Sequence, residues 1–374
     1  MLRRLYLTLQ FLFLFTTLNA QSYKLLWQNE EALRLAEETM DQMYHWNFVK
    51  TDSLLSVYED LMPKHPSLPL LKAMRVYWDI TPFDYQNEDQ IDKMFTYLDD
   101  CVELCEDRLD EQEDDEESIF FMLLAKSIKA RTYNYIGSTW KAVSEARSVY
   151  SLTRVGMTLT DSLPEFNFSS GIYNFYREFY PEKHPIYKPF LSFFPPGDKT
   201  KGIEQLTNAM KTGVFTSAES HRYLMWIYLH IEDQQSIDLA KDLMSKYQEN
   251  QWFIYESLLV MSGFDALNDS NAVEKISVLQ VSTDSFYILA GQMIEGMRFY
   301  EMHDYDEAKK MLLGVEEDLT HLTTRQNYIK PFLYAYLTTI FEIEGDQNNR
   351  KKYYKKASQA DFGDQVMKRL SARR

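Results

Sequence analysis

The sequence predicts an all-α protein, a stack of antiparallel helical hairpins forming an α-solenoid. Three observations carry this. Apolar residues recur every three or four positions along nearly the whole chain, the period of an amphipathic helix. No alternating strand pattern of convincing length interrupts them. Only 12 Gly and 11 Pro occur in 374 residues, and long stretches contain neither.

The chain opens with 1–20, MLRRLYLTLQFLFLFTTLNA. Arg3 and Arg4 precede an apolar run that ends at Thr-Thr-Leu-Asn-Ala, the layout of a secretory signal. The run is too short and too interrupted to span a bilayer permanently. Gln21, not a cysteine, directly follows Ala20, so a bacterial lipid anchor is not expected. The expected compartment is therefore exported, either periplasmic or attached at the outer surface. Loss of Arg3 and Arg4 takes the formal charge from −16 to −18. A surface that acidic repels nucleic acid and anionic lipid, leaving neutral or cationic partners.

Past the signal, 31–46 (EALRLAEETMDQMYHW) reads as the first helix. The second, 51–62, is closed by Pro63 and Pro66, and the third, 70–80, follows at once. Further helices are expected over 91–109, 117–135 and 140–159. The acidic run at 111–117 (EQEDDEE) separates two of them and reads as a solvated turn or helix cap. It lacks the glycine and the ligand spacing of a calcium-binding loop. Cys101 and Cys105 stand four apart on one helical face, as two thiols or a local disulfide, with no further metal ligand nearby.

Residues 167–196 depart from this rhythm: NFSSGIYNFYREFYPEKHPIYKPFLSFFPP holds 10 aromatics and five prolines. Ser169 is expected to cap a helix from about Gly171 to Tyr180, which the prolines end. The segment reads first as a packed plug and second as an aromatic groove for a sugar or a Pro-rich peptide. Beyond it lies the turn Gly197-Asp-Lys-Thr-Lys-Gly202-Ile-Glu. Two glycines and two lysines at a helix start suggest a phosphate cradle. A phosphate loop requires Lys and Ser/Thr after the second glycine, where this chain has Ile203 and Glu204. Asp198 therefore reads as the cap of a helix over 199–211, with Gly202 lying against a neighbouring helix.

The strongest periodic signal lies at 296–315, GMRFYEMHDYDEAKKMLLGV. Gly296, Phe299, Tyr305, Ala308, Leu312 and Val315 fall at intervals of 3, 6, 3, 4 and 3. This resembles the tetratricopeptide repeat (TPR), where small residues let two helices approach and aromatics fill the gap to the next pair. Tyr334, Leu337, Phe341, Gly345, Tyr354 and Ala357 match in register, with Arg350 at the small helix-B position. Phe48, Leu55 and Pro63 match near the N-terminus, where Thr51 replaces Ala, and Leu224, Tyr228 and Ile237 form another partial copy. The helix-B positions Ile237, Ala272, Ala308 and Arg350 are spaced 35, 36 and 42 residues apart.

The stretches Gly171-Ile-Tyr-Asn-Phe-Tyr, Tyr180-Pro-Glu-Lys-His-Pro and Gly197-Asp-Lys-Thr-Lys-Gly202-Ile, with Phe48, His65-Pro66 and Leu70-Leu71-Lys72-Ala73, are similar to exported TPR proteins of Bacteroidetes. The resemblance implies a right-handed TPR-like α-solenoid in the cell envelope and a binding role. The implied organisation is 1–20 signal, 21–164 N-terminal helical block, 165–198 aromatic connector and 199–374 C-terminal array.

Catalytic patterns are sparse. The seven histidines form no His-Glu-x-x-His and no i, i+4 pair, and no Gly-x-Ser-x-Gly elbow occurs. No catalysis, cofactor or metal is expected. The expected role is a scaffold binding a protein or peptide, and the alternative is a sugar or small-ligand site at 171–194. Tyr223, Trp226, Tyr334 and Tyr336, aromatics of the inner helices, are the candidate contact residues.

Overall fold

The structure, a computed structural model, describes residues 25–183, 186, 188, 194–360 and 363–372. The expected signal at 1–20 lies outside the described residues, as do Phe193 and much of 184–192. Among the described residues every regular element is a helix. Eight antiparallel hairpins follow one another: α1 (Glu30–Tyr44) with α2 (Phe48–Leu61), α3 (Ser67–Asp79) with α4 (Glu88–Glu111), α5 (Glu116–Tyr135) with α6 (Thr139–Gly156), and α7 (Phe166–Lys183) with α8 (Lys199–Thr212). Then come α9 (Ser217–His230) with α10 (Gln235–Lys246), α11 (Gln251–Ser262) with α12 (Ser270–Gln280), α13 (Ser285–Glu301) with α14 (Tyr305–Asp318), and α15 (Gln326–Ile343) with α16 (Gln347–Ser358). A last helix, α17 (Gly363–Ala372), returns onto α15.

Neighbours pack in sequence, and α9, α11, α13 and α15 also touch one another in order, as do α1, α3 and α5. These odd-numbered helices thus form the inner row of a solenoid, with α7 packed on α6 and α8 between the two runs. Among the described residues, no helix is long and apolar enough to cross a membrane.

The turns inside the hairpins share one device. Trp46, Gly137, Glu232, His303 and Gly345 each take a positive φ between the two helices of their pair. Each left-handed residue is followed by Asn47, Ser138, Asp233, Asp304 or Asp346. The N–H of that next residue reaches back five positions to a carbonyl of the first helix, as Asp304 does to Phe299 at 3.0 Å. In all but the Ser138 turn its side chain then accepts from the first turn of the second helix, as Asp346 does from Asn348 and Asn349 at 3.1 and 3.0 Å.

The repeat is more regular than the sequence reading had it. Ile237 is only half-buried, whereas Ser236 is fully buried and bonds Met225 O at 2.7 Å. Ser236, Ala272 and Ala308, all at 0% exposure, therefore stand 36 residues apart. The longer final step has a visible cause, a 3-10 segment Leu319–Arg325 inserted before α15. Thr51, at the first copy's small position, is fully buried like the alanines.

Two other expectations are corrected. The helix expected to begin near Gly171 starts at Phe166, and Ser169 bonds Phe166 O from within it instead of capping it. Pro181 does not end that helix but sits inside its last turn. The start is set from outside by Pro164, ahead of which the chain turns, and by Phe166, which packs into the space left by Gly156.

Candidate functional site

The two halves of the solenoid close on each other. Residues more than 200 positions apart meet along the seam: Asn250 Nδ2 donates to Tyr44 O at 2.9 Å, and Tyr287 Oη to Thr81 O at 3.3 Å. Thr324 bonds Asp84, and Asn327 Nδ2 reaches Tyr85 Oη at 3.2 Å. Tyr44 stacks on Phe253 with centroids 5.8 Å apart and meets the edge of Trp78 at 5.2 Å. The inner faces of the N-terminal block and the C-terminal array consequently share one interior.

That interior is lined with phenols and guanidinium groups. Tyr77 of α3, Arg131 and Tyr135 of α5, Tyr176 of α7, Arg222 and Tyr223 of α9 and Tyr328 of α15 are each half-buried. Arg131 lies over the rings of Tyr77 and Tyr135, 5.3 and 5.7 Å from their centroids. Arg222 and Tyr223 stand within its electrostatic reach. Although part of its surface meets solvent, burial pushes the Tyr77 phenol up to about 12. Burial raises the phenols of Tyr176 and Tyr328 further. These rings are thus largely withdrawn from water while keeping part of their surface exposed. Arg222 is paired with two carboxylates, Glu219 at 2.8 Å and Glu256 at 2.5 Å. Arg131 makes no hydrogen bond or ion pair among the described residues, only its ring contacts.

A second concavity of about 300 Å³ opens between α1 and the region from α8 to α10. Its lining sets Glu37, Glu38 and Asp41 against Arg34 and Lys246, beside Tyr44 and Tyr247, so acid is in slight excess.

The four candidate contact residues divide in two. Tyr334 and Tyr336 are buried, at 8% and 2% exposure. Tyr336 lies edge-on to Tyr300 at 5.1 Å, and Tyr334 against Tyr353 at 6.2 Å. Tyr223 and Trp226 are half-buried on α9. Tyr223 meets Phe168 edge-on at 5.5 Å and stands near Arg131 inside. In the aromatic connector none of Tyr173, Tyr176 and Phe179 is fully buried, yet each lies against another ring.

Sequence spacing gave no warning of one buried polar chain. His65 Nδ1 accepts from Ser67 Oγ at 2.6 Å and from Ser67 N at 3.2 Å, and Tyr58 Oη lies 2.6 Å from Ser67 Oγ. Nδ1 being an acceptor, Nε2–H donates to Glu117 Oε2 at 2.9 Å. The parts resemble a nucleophile, base and carboxylate, but serine and carboxylate sit on exchanged nitrogens relative to a hydrolase triad. Ser67 and His65 are 0% and 3% exposed, so no substrate face opens on them. Glu117 also takes the N–H groups of Leu26 and Trp27, each at 2.9 Å. The set therefore fastens the start of the described chain to α3 and α5. Asp115, in the same acidic run, caps α5 and accepts from Arg108 Nε at 2.6 Å. The run read as a solvated turn or a helix cap thus supplies that cap, and its Asp115 and Glu117 are buried anchors.

Glu165 plays a similar part at the joint. Its buried carboxylate accepts from the N–H groups of Val214 and Phe215 and from Thr216 Oγ1, covering the start of α9. Burial raises its pKa against the effect of those bonds.

The Gly-Asp-Lys turn does hold an anion, and the chain supplies it. Asp198 caps α8 by accepting from Lys201 N at 2.9 Å. Lys199 N donates to Glu178 Oε2 at 2.7 Å, and Lys199 Nζ meets Glu182 at 2.7 Å. Gly202 lies against α7: a Cβ there would come within 2.7 Å of Phe175 N and 2.8 Å of Gly171 O. Among the described residues no group of three or more His, Cys, Asp and Glu is placed to hold a metal.

No protein-family model, no curated protein and no solved structure matches this chain.

Proposed function

We propose that the chain is an exported TPR-like scaffold of the bacterial envelope, periplasmic or surface-associated, that holds a protein or peptide on its inner faces without catalysis. The observation that carries this is the interior. Partly buried tyrosines and arginines from α3, α5, α7, α9 and α15 converge there, where a purely structural core would have closed over with apolar side chains. Tyrosine and arginine supply large, partly rigid contact surface with hydrogen bonding, which is why they carry much of the energy at protein interfaces. The one set with the look of catalysis is sealed from solvent and anchors backbone instead. The signal-like 1–20 segment and the resemblance to exported Bacteroidetes proteins support the compartment.

The test is affinity capture from envelope extract with the intact mature chain. The interior variant Tyr223→Ala and the outer-surface variant Trp140→Ala serve as comparators. Trp140, 87% exposed on α6, lies away from the proposed surface. Binding at the inner faces predicts loss of capture with Tyr223→Ala and retention with Trp140→Ala. The opposite pattern contradicts the reading.

A further inference from the structure

Arg131 differs from the other arginines fixed in this fold. Arg75 has Asp52 and Asp79, Arg108 has Asp115, Arg222 has Glu219 and Glu256, Arg298 has Glu295, and Arg325 has Asp284. In a chain with 56 acidic against 40 basic residues, carboxylates are abundant. Yet Arg131 is half-buried, held over two tyrosine rings and joined to no acid among the described residues. Burial opposes its charge, and the nearby Tyr77 and Tyr135 keep its pKa raised, so it remains a cation.

A desolvated guanidinium without a counter-charge is costly unless something completes it. Its planar fork matches a carboxylate in bidentate geometry, and ring contacts hold the fork in one orientation. The second arginine within reach, Arg222, is already paired with two glutamates, so of the two guanidinium groups Arg131 is the one whose fork has no acid partner among the described residues. A carboxylate fits that fork and adds one negative charge, whereas a dianionic phosphate would add two inside an already acidic protein.

We propose that Arg131, flanked by Tyr77 and Tyr135 in the interior shared by the two halves, receives a carboxylate of a bound peptide. The assignment rests on the peptide-holding reading above and names the group that would orient the ligand. The carboxylate belongs either to the peptide's C-terminus or to an Asp or Glu side chain.

The experiment is equilibrium dialysis of the mature protein against mixed-sequence tetrapeptide pools, read by mass spectrometry. One pool ends in free acid and one in amide, each prepared with and without Asp and Glu. Wild type is expected to retain carboxylate-bearing pools over the fully amidated, acid-free pool by about tenfold, the size of one charge-assisted contact. A preference kept by the acid-free-sequence pool with a free terminus assigns the C-terminus. A preference kept only by amidated Asp/Glu pools assigns the side chain. Arg131→Gln should reduce the ratio to about one at unchanged helical circular dichroism, and Arg131→Lys should restore part of it.

In wild type, sodium propionate should displace the carboxylate pools, and sodium chloride at equal ionic strength should not. That arm keeps the proposal falsifiable even when Arg131→Gln fails to fold. Equal retention of all pools overturns the carboxylate assignment and leaves peptide holding in place. Displacement by inorganic phosphate but not by propionate also overturns it. So does retention of no pool, while envelope capture that depends on Tyr223 would leave the scaffold reading standing.

Discussion

Placing a single methyl group at Gly202 probes the joint between the aromatic connector and the C-terminal array. In Gly202→Ala the new Cβ would lie 2.7 Å from Phe175 N and 2.8 Å from Gly171 O. Both are backbone atoms, so the clash is relieved only by moving α7 and α8 apart. Overpacking of this kind costs roughly 1–3 kcal/mol. Alanine's better helix propensity returns at most about 1 kcal/mol. The net expectation is a loss of roughly 1–2 kcal/mol. Gly171→Ala meets the same gap from the other side, with Gly202 O at 2.8 Å and Leu206 N at 3.0 Å. Once either change has opened the crossing, the second meets less resistance, so the double variant should lose less than the sum. Urea unfolding followed by circular dichroism gives the three values, and hydrogen exchange localises the loss to α7 and α8. A neutral or stabilised Gly202→Ala, or strict additivity of the pair, would refute the close crossing.

Other expectations follow from single sites. Glu232 is exposed at φ 61° with no side-chain bond in the structure, so Glu232→Gly should relieve left-handed strain and raise the urea midpoint by about 0.5 kcal/mol equivalent; a loss would mean that the turn is not left-handed in solution. His230 accepts from Arg369 at 3.2 Å, and burial, then Arg369 and Lys183, lowers its pKa to about 4. Unfolded histidine titrates near 6.5, so the unfolded state binds the proton first, and stability falls as pH drops from about 6.5 towards 4. Hydrogen exchange in α17 should rise over that window, and His230→Gln should flatten the change; an unaltered profile counts against the contact. Cys101 and Cys105 are fully buried free thiols, and burial raises the Cys101 thiol further. A thiol reagent should label neither in the native protein and both in denaturant, whereas rapid native labelling would contradict their burial.

The helices were legible because their apolar period is strong and their capping residues are local. The unit at 296–315 was legible for the same reason: Gly296 and Leu312 touch in space as their spacing implies. The shift from Ile237 to Ser236 was not, since an apolar residue one position from a serine wins on hydrophobicity alone, while close packing of α9 and α10 selects the smaller side chain. The left-handed residue followed by Asn, Ser or Asp recurs in five hairpin turns and was present in the sequence, but only two of those turns carry the glycine that advertises it. Long-range pairs gave no signal at all. Glu117 meets His65 across 52 residues and Leu26 across 91, and Asn250 meets Tyr44 across 206. Arg131 reads in sequence as one more helical arginine. Its want of an acidic partner emerges only when α3 and α9 are brought beside α5.

Closure of the two halves around a common interior is the claim on which the rest depends, and small-angle X-ray scattering of residues 21–374 tests it directly. A compact chain of about 350 residues has a radius of gyration of about 20 Å, and a closed array enclosing a narrow space should lie within a few ångström of that. Eight hairpins stacked open at about 10 Å each would extend about 80 Å, giving about 25 Å or more. The account predicts the smaller value with a maximum dimension well short of the open stack; the larger one would contradict it.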